Sequence, residues 1–524
     1  FMRALVGLLR RFFMEMTGRT LRSRLVCLLL AICIAAGFVP LVDYSAFAAD
    51  NETTVGVLEL GVPRSGNGWK WSGDGVLSLF GAELKSKDEN TPKISFSGYT
   101  LHISISGYNR AVGDSPLAVS TASGDKVEIT GRGILECDSK SALLGCNAAD
   151  IEDVLIKAPD AALFKDSSAN SELLYRKGYL EIGTINAAVS DIGSGVIECG
   201  QLQFDGGYET HFRQTGGVFY ADKVSAGSGD NSHTVTCMRN SIFKAIATEA
   251  AEQKDLLIQQ SDPSIVMVGD SNATVESTEN HSAVDVNDMH VYCSEVSSAD
   301  TITRSTAGVY YTSDHVTIND WATLSGAVYF SGSVSRDDSN LGLFTIDSGA
   351  AVAGGGYFKT ETAVQVDENA VMYFDSAYFT DSTITGGVYG RSGNVTFINS
   401  ELENASSVYS LGYTQFKGTT IDGSAAVYCT SPNPAASFDH VEINGIVSIY
   451  ESYSHDRKKA LDLSGRGISS FGDFAWFWCY LSEDDQLCNN AEDFDMIVGS
   501  SSLYTAADLG SEYRAAVSVE NYNA

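Results

Sequence analysis

The chain has 524 residues, 44% of them apolar and 19% charged, with 50 Gly but only 8 Pro and a formal net charge of −32. Apolar content at that level excludes wholesale disorder, and the acidic balance makes nucleic acid and anionic lipid surfaces poor partners. Abundant Gly with Ser, Thr, Asn and Asp between short apolar runs is the composition of a turn-rich, all-β protein.

Met16 is the expected start, followed by a basic stretch with Arg19, Arg22 and Arg24. Leu25 to Val42 is apolar apart from Gly37 and Pro40, and Ala46-Phe47-Ala48 offers a small-residue cleavage site. Residues 1–48 therefore have the form of a secretory signal peptide with an upstream leader. They hold six Arg, Glu15 and Asp43, so their removal takes 34 basic and 66 acidic residues to 28 and 64, a net charge of −36. No later apolar run reaches spanning length, and the expected location is secreted or cell-surface.

Residues 49–98 form the expected N-terminal cap unit. Gly68-Trp69-Lys70-Trp71 and Val76-Leu77-Ser78-Leu79-Phe80-Gly81 flank a Gly/Asp turn, the pattern of two antiparallel strands. Trp69 and Trp71 fall on one face of such a strand, either as a platform for stacking sugars or as the plug of an open solenoid end. From Tyr99 the chain alternates with period two, first to Gly107 and again from Lys126 to Cys137. Further strands are expected at 153–157, 179–185, 195–204, 217–221, 265–268 and 290–293. Between them, residues 241–260 are rich in helix formers behind a possible Ser241 cap, which predicts a short helical insertion.

From residue 301 a repeat takes over. Phe397, Leu402 and Tyr409 recur as Phe416, Ile421 and Tyr428, and again as Phe438, Ile443 and Tyr450, with a looser copy at Phe379, Ile384 and Tyr389. The Tyr positions 389, 409, 428 and 450 are 20, 19 and 22 residues apart. Tyr310, Tyr329, Tyr357 and Tyr373 extend the series upstream. A period near 20 residues made of short β-branched runs is that of a β-solenoid, in which each coil buries its apolar face on the next. The fold expected for residues 99–450 is a right-handed parallel β-helix, with Phe stacked on Phe, Ile421 between Leu402 and Ile443, and Tyr on Tyr. Asp314-His315-Val316-Thr317-Ile318-Asn319 recurs as Asp439-His440-Val441-Glu442-Ile443-Asn444, which coil geometry explains without invoking catalysis. Residues 451–524, with Trp476 and Trp478 in an aromatic cluster, fit a C-terminal cap or the start of a further module.

The successive elements Gly68-Trp69-Lys70-Trp71 with Leu77-Ser78-Leu79, Ile103-Ser104-Ile105-Ser106-Gly107, and Ile129-Thr130-Gly131-Arg132-Gly133-Ile134-Leu135 resemble those of secreted bacterial carbohydrate-binding-domain β-helix proteins, of pectin-lyase-like architecture. The resemblance covers about seventy residues. It implies a right-handed parallel β-helix outside the cell, contact with polysaccharide and, in some members, calcium. None of that family's binding residues has a motif that transfers to this chain.

Candidate ligand-binding residues are Trp69, Trp71, Trp476 and Trp478. Candidate Ca2+ ligands are Asp337, Asp338 and Asn340 in one loop and Glu483, Asp484 and Asp485 in another, neither with EF-hand spacing. Cys137 with Cys146, and Cys479 with Cys488, share a separation of nine that permits local disulfides, while small apolar core positions explain the cysteines equally well. No Cys pair makes a zinc ribbon, and no nucleophile elbow, zincin or P-loop motif occurs. The leading expectation is an adhesin-like protein binding polysaccharide or host glycans. The alternatives are a polysaccharide lyase or glycoside hydrolase on the same fold, and a spacer that binds nothing.

Overall fold

The computed structural model describes residues 54–451, apart from short gaps at 67, 89–90, 98–99, 121–125, 167, 205–206, 228–231, 251, 271, 278–282, 320, 340–341 and 431–434, together with 461–471, 476–481 and 516–518. All belong to the unit Asp50–Ala524. The proposed signal peptide, residues 1–48, lies outside the described residues.

The described chain is a parallel β-solenoid of about 16 turns, arranged as two ladders. One runs from Gly56–Leu58 to Met289–Tyr292 and the other from Glu295–Ser297 onward. Each has its own apolar interior. Between them the chain turns back. Val284–Val286 and Met289–Tyr292 form an antiparallel hairpin, and Met289–Tyr292 also pairs antiparallel with Ile265–Asp270 of the last coils of the first ladder. The second ladder then runs alongside the first in the opposite direction. Tyr450, near its end, stacks on Tyr108, near the start of the first, with ring centroids 4.0 Å apart. Moving inward, Tyr428 reaches Glu136, Tyr409 reaches Asp153, and Tyr373 packs edge-on against Tyr220.

The repeat register explains the interior. Phe416 pairs with Phe397 and Phe438, and Ile421 with Leu402 and Ile443. All six are fully buried. The Phe rings stack at 5.7 and 5.4 Å. The tyrosines occupy the other face of the same strands, since Val388 and Val408 point inward and their neighbours must point outward. They are buried all the same, Tyr389 at 1% and Tyr409 at 2% exposure, because the first solenoid covers them. The first solenoid answers with apolar doublets of its own. In Ile134-Leu135, Leu155-Ile156, Tyr179-Leu180, Val196-Ile197, Val218-Phe219 and Ile242-Phe243, the first residue faces the seam and the second the interior.

Glycine stands just before several of these doublets because coils touch there. A Cβ on Gly217 would lie 2.3 Å from the Gly195 carbonyl oxygen, and the residue has φ +71°, a region that L side chains rarely adopt.

Two details of the repeat differ from expectation. Tyr409 pairs with Ala426, and Tyr428 lies two positions further along, because the corner between Ile421 and Ser424 is two residues shorter than that between Leu402 and Ser407. A two-residue offset keeps the same face, so Tyr428 still reaches the seam and stacks on Tyr450 at 4.7 Å. Tyr357 is not in the tyrosine column. Ala353 takes that place between Tyr329 and Tyr373, while Tyr357, on the following strand, pairs with Ser376 and is exposed.

The helical insertion expected at 241–260 is not formed. His233–Ala250 is one continuous strand, and a single 3-10 turn, Gln253–Asp255, follows. Ala245 sits between Ala221 and Val268 in an interior column that also contains Cys199. The alanines there reflect a narrow interior rather than helix propensity, and the ladder on both sides overrides that propensity. Cys137 is a free, buried thiol in the interior, so no bridge to Cys146 is formed. Cys488 lies outside the described residues.

Candidate functional site

Two residues beyond the seam-facing apolar column of the first solenoid, a second outward column follows the same register: Arg110, Glu136, Lys157, Glu181, Glu198, Tyr220 and Lys244. Parallel coils place each side chain about 4.8 Å from the next, and most of the charges are matched locally. Arg110 pairs with Asp138 at 2.9 Å and Lys157 with Glu181. Glu136 accepts hydrogen bonds from Tyr108 and, across the seam, from Tyr428 at 3.1 Å. Glu198 accepts one from the Tyr179 hydroxyl at 3.0 Å.

Near Glu198 the seam opens into a groove of about 350 Å³. Glu181, Glu198, Tyr220, Asp222 and Lys244 come from consecutive coils of the first solenoid, and Arg391 comes from the second. Burial raises the pKa of the Glu198 carboxyl above the usual carboxylate range, against the opposing pull of the Tyr179 hydrogen bond and of Arg391. Burial, helped by repulsion from Arg391, lowers that of Lys244. For Arg391 burial disfavours the charge, but Asp375, 2.8 Å from Nε, more than offsets it and the pKa is raised. The Lys244 ammonium lies 5.4 Å from the ring centroid of Tyr220 and 5.9 Å from that of Tyr329, one tyrosine from each solenoid. The groove thus brings carboxyl groups, cations and a tyrosine ring together at the seam.

The residues proposed from sequence lie elsewhere. Trp69 and Trp71 sit in antiparallel strands near the N-terminal end, paired with Leu79 and Leu77. They are 0% and 2% exposed, and the Trp71 indole donates to the Glu59 carbonyl at 3.0 Å. Both rings fill the core at that end and offer no face to a sugar. Trp476 and Trp478 occupy strand positions in register with Ile446 and Ser448, on either side of the buried Phe477. Asp337 accepts from the Ser339 amide at 3.1 Å and from its hydroxyl, and so closes its own exposed turn with Asp338. Asn340, Glu483, Asp484 and Asp485 lie outside the described residues. Among the described residues, no group of three or more His, Cys, Asp or Glu side chains is arranged to hold a metal ion.

The two D-H-V-x-I-N segments fill different coil positions. Val316 shares the column of Ala436, five residues before Val441. His315 is exposed and its Nε2 lies 2.8 Å from the Ser335 hydroxyl.

None of the groove residues carries a sequence motif. Their signal is the placing of Glu181, Glu198, Tyr220 and Lys244 directly after each apolar doublet, and it becomes legible only once the coils are aligned. Arg391 could not be joined to them without knowing that the solenoid doubles back. No family model, curated protein or solved structure matches the chain.

Proposed function

We propose that the protein is an exported, acidic binding solenoid that contacts carbohydrate, with the seam groove as its contact site. The observation that carries this reading is the convergence of Glu181, Glu198, Tyr220, Lys244 and Arg391 on one groove built from both solenoids. Sugars are recognised by dense, convergent polar groups beside an aromatic face, and the groove supplies both. The signal-peptide pattern and the mature charge of −36 support a place outside the cell. The test is a glycan array, together with pull-down on plant polysaccharides and mucin, using the mature chain and its Arg391→Ala and Tyr220→Ala variants. Binding that both substitutions weaken supports the reading, and absence of binding across the panel overturns it.

One observation favours a second reading, a glycoside hydrolase. Glu181 and Glu198 are register neighbours on adjacent coils. Burial raises the pKa of Glu198 and favours its protonated form, while Glu181 is ion-paired to Lys157. Two carboxyl groups in contrasting surroundings are what acid-assisted glycoside cleavage requires. Reducing-end release from the same panel, abolished in Glu198→Gln, would establish it. Binding without turnover would reject it.

A further inference from the structure

We infer that the seam groove contains an anion subsite, formed by the Lys244 ammonium and the Arg391 guanidinium, that receives the carboxylate of an acidic sugar. This rests on the reading of the groove as a saccharide site and adds the ligand's chemical class.

Lys244 differs from the other cations of its column. Arg110 has Asp138 and Lys157 has Glu181, but among the described residues Lys244 has no carboxylate within ion-pair distance. Its neighbours on the adjoining coils are Tyr220 and Met267, neither of them charged. A partly buried ammonium gives up hydration, and the tyrosine faces return only part of that cost. Arg391 is close enough to repel it. The groove also carries the carboxyl groups of Glu181, Glu198 and Asp222, of which Glu181 is ion-paired to Lys157 and Glu198 accepts from Tyr179.

Asp375 engages Nε and Nη2 of Arg391 on one side. No contact among the described residues engages Nη1. A ligand carboxylate placed between Nη1 and the Lys244 Nζ would relieve their repulsion and gain two charge-assisted hydrogen bonds. Tyr220, which lines the groove, would lie beside the sugar ring. Extended polyanions remain disfavoured, because each further charge meets the acidic surface outside the groove.

The experiment is isothermal titration of the mature chain at low ionic strength with trigalacturonate and sialyllactose, each beside a neutral counterpart, maltotriose and lactose. At least one carboxylated ligand should bind about tenfold or more tighter than its counterpart. Lys244→Met preserves the stem over the tyrosine rings and should abolish that preference, so that the acidic ligand binds no tighter than its neutral counterpart. Lys244→Arg should retain it. Thermal melts confirm that both variants fold. Equal binding of acidic and neutral sugars, or a preference that survives Lys244→Met, would overturn the anion subsite and leave the groove reading standing. Loss of all binding by the unsubstituted chain to every ligand on the glycan panel would overturn the groove reading, and the subsite with it.

Discussion

The Tyr409 hydroxyl donates a hydrogen bond of 2.7 Å to the Asp153 carboxylate, joining residues 256 positions apart in the chain. Asp153 occupies a corner of the first solenoid with φ 55°, a left-handed conformation that aspartate tolerates better than most residues. The same carboxylate oxygen, Oδ1, accepts from the Ser407 hydroxyl at 2.7 Å and lies 3.6 Å from the Lys177 ammonium, while Arg132 lies 3.3 Å from Oδ2. Lys177 in turn donates to the Ala405 carbonyl at 2.8 Å. One carboxylate thus clasps the two solenoids across their shared seam.

Removing the hydroxyl should loosen the clasp without opening a cavity. Tyr409→Phe is expected to cost about 1.5–3 kcal/mol, the range for a hydrogen bond to a charged group. Asp153→Ala should cost more, because it also strands Lys177 and Arg132. Urea unfolding of the two single variants and the double variant measures the coupling. Strictly additive costs would show that the bond contributes nothing.

Within the second solenoid, Ile421→Ala should cost about 2–5 kcal/mol, as buried aliphatic truncations do. Ile421→Asp should cost more, since an unpaired charge would be buried among Leu402, Ile443 and the phenylalanine stack. Coils depend chiefly on their neighbours, so amide protection should fall first in 397–443. Hydrogen exchange on Ile421→Asp reports this directly, and unchanged protection there would contradict the register.

The interior of this solenoid was legible because its spacing is strict. A constant five-residue step from Phe to the aliphatic position predicted the pairing of Phe416 and Ile421 with their neighbours. The outward tyrosines were legible as a column but not as an interface. The missed signal was the doublet itself: in Val388-Tyr389 and Val218-Phe219 both faces of one strand are apolar, and that demands a second covering layer. Local composition misled at Ala245 and Ala247, where ladder pairing fixes the conformation. Trp69 and Trp71 lay on one strand face as expected, but the alternation of a strand does not say whether that face meets solvent or core.

Gly217→Ala probes the contact between coils. The added methyl would meet the Gly195 carbonyl at 2.3 Å in a backbone region that alanine disfavours. The variant should lose more than about 1 kcal/mol. Calorimetric melting of Gly217→Ala beside Gly207→Ala, where no atom lies within 4 Å of the added carbon, separates crowding from general loss of glycine.

Glu198 gives a pH signature. Its carboxyl holds a proton more tightly in the folded chain than in the unfolded one, because burial raises its pKa. The folded state therefore binds more protons between the ordinary carboxylate range and the raised value, and this group's contribution to stability falls as pH rises through that window. Glu198→Gln removes the dependence. Its melting temperature relative to the unsubstituted chain should increase with pH across the window, and parallel curves would reject the assignment.

The doubled-back arrangement is tested most directly by small-angle X-ray scattering of the mature chain. About 16 coils stacked at ~4.8 Å in a single file would form a solenoid body ~77 Å long. Two half-length solenoids side by side would give a body ~38 Å long, before caps and termini, with twice the cross-section. The seam described here predicts the shorter, thicker particle. A pair-distance distribution typical of a single thin rod of the full length would contradict it, and with it the groove between the solenoids.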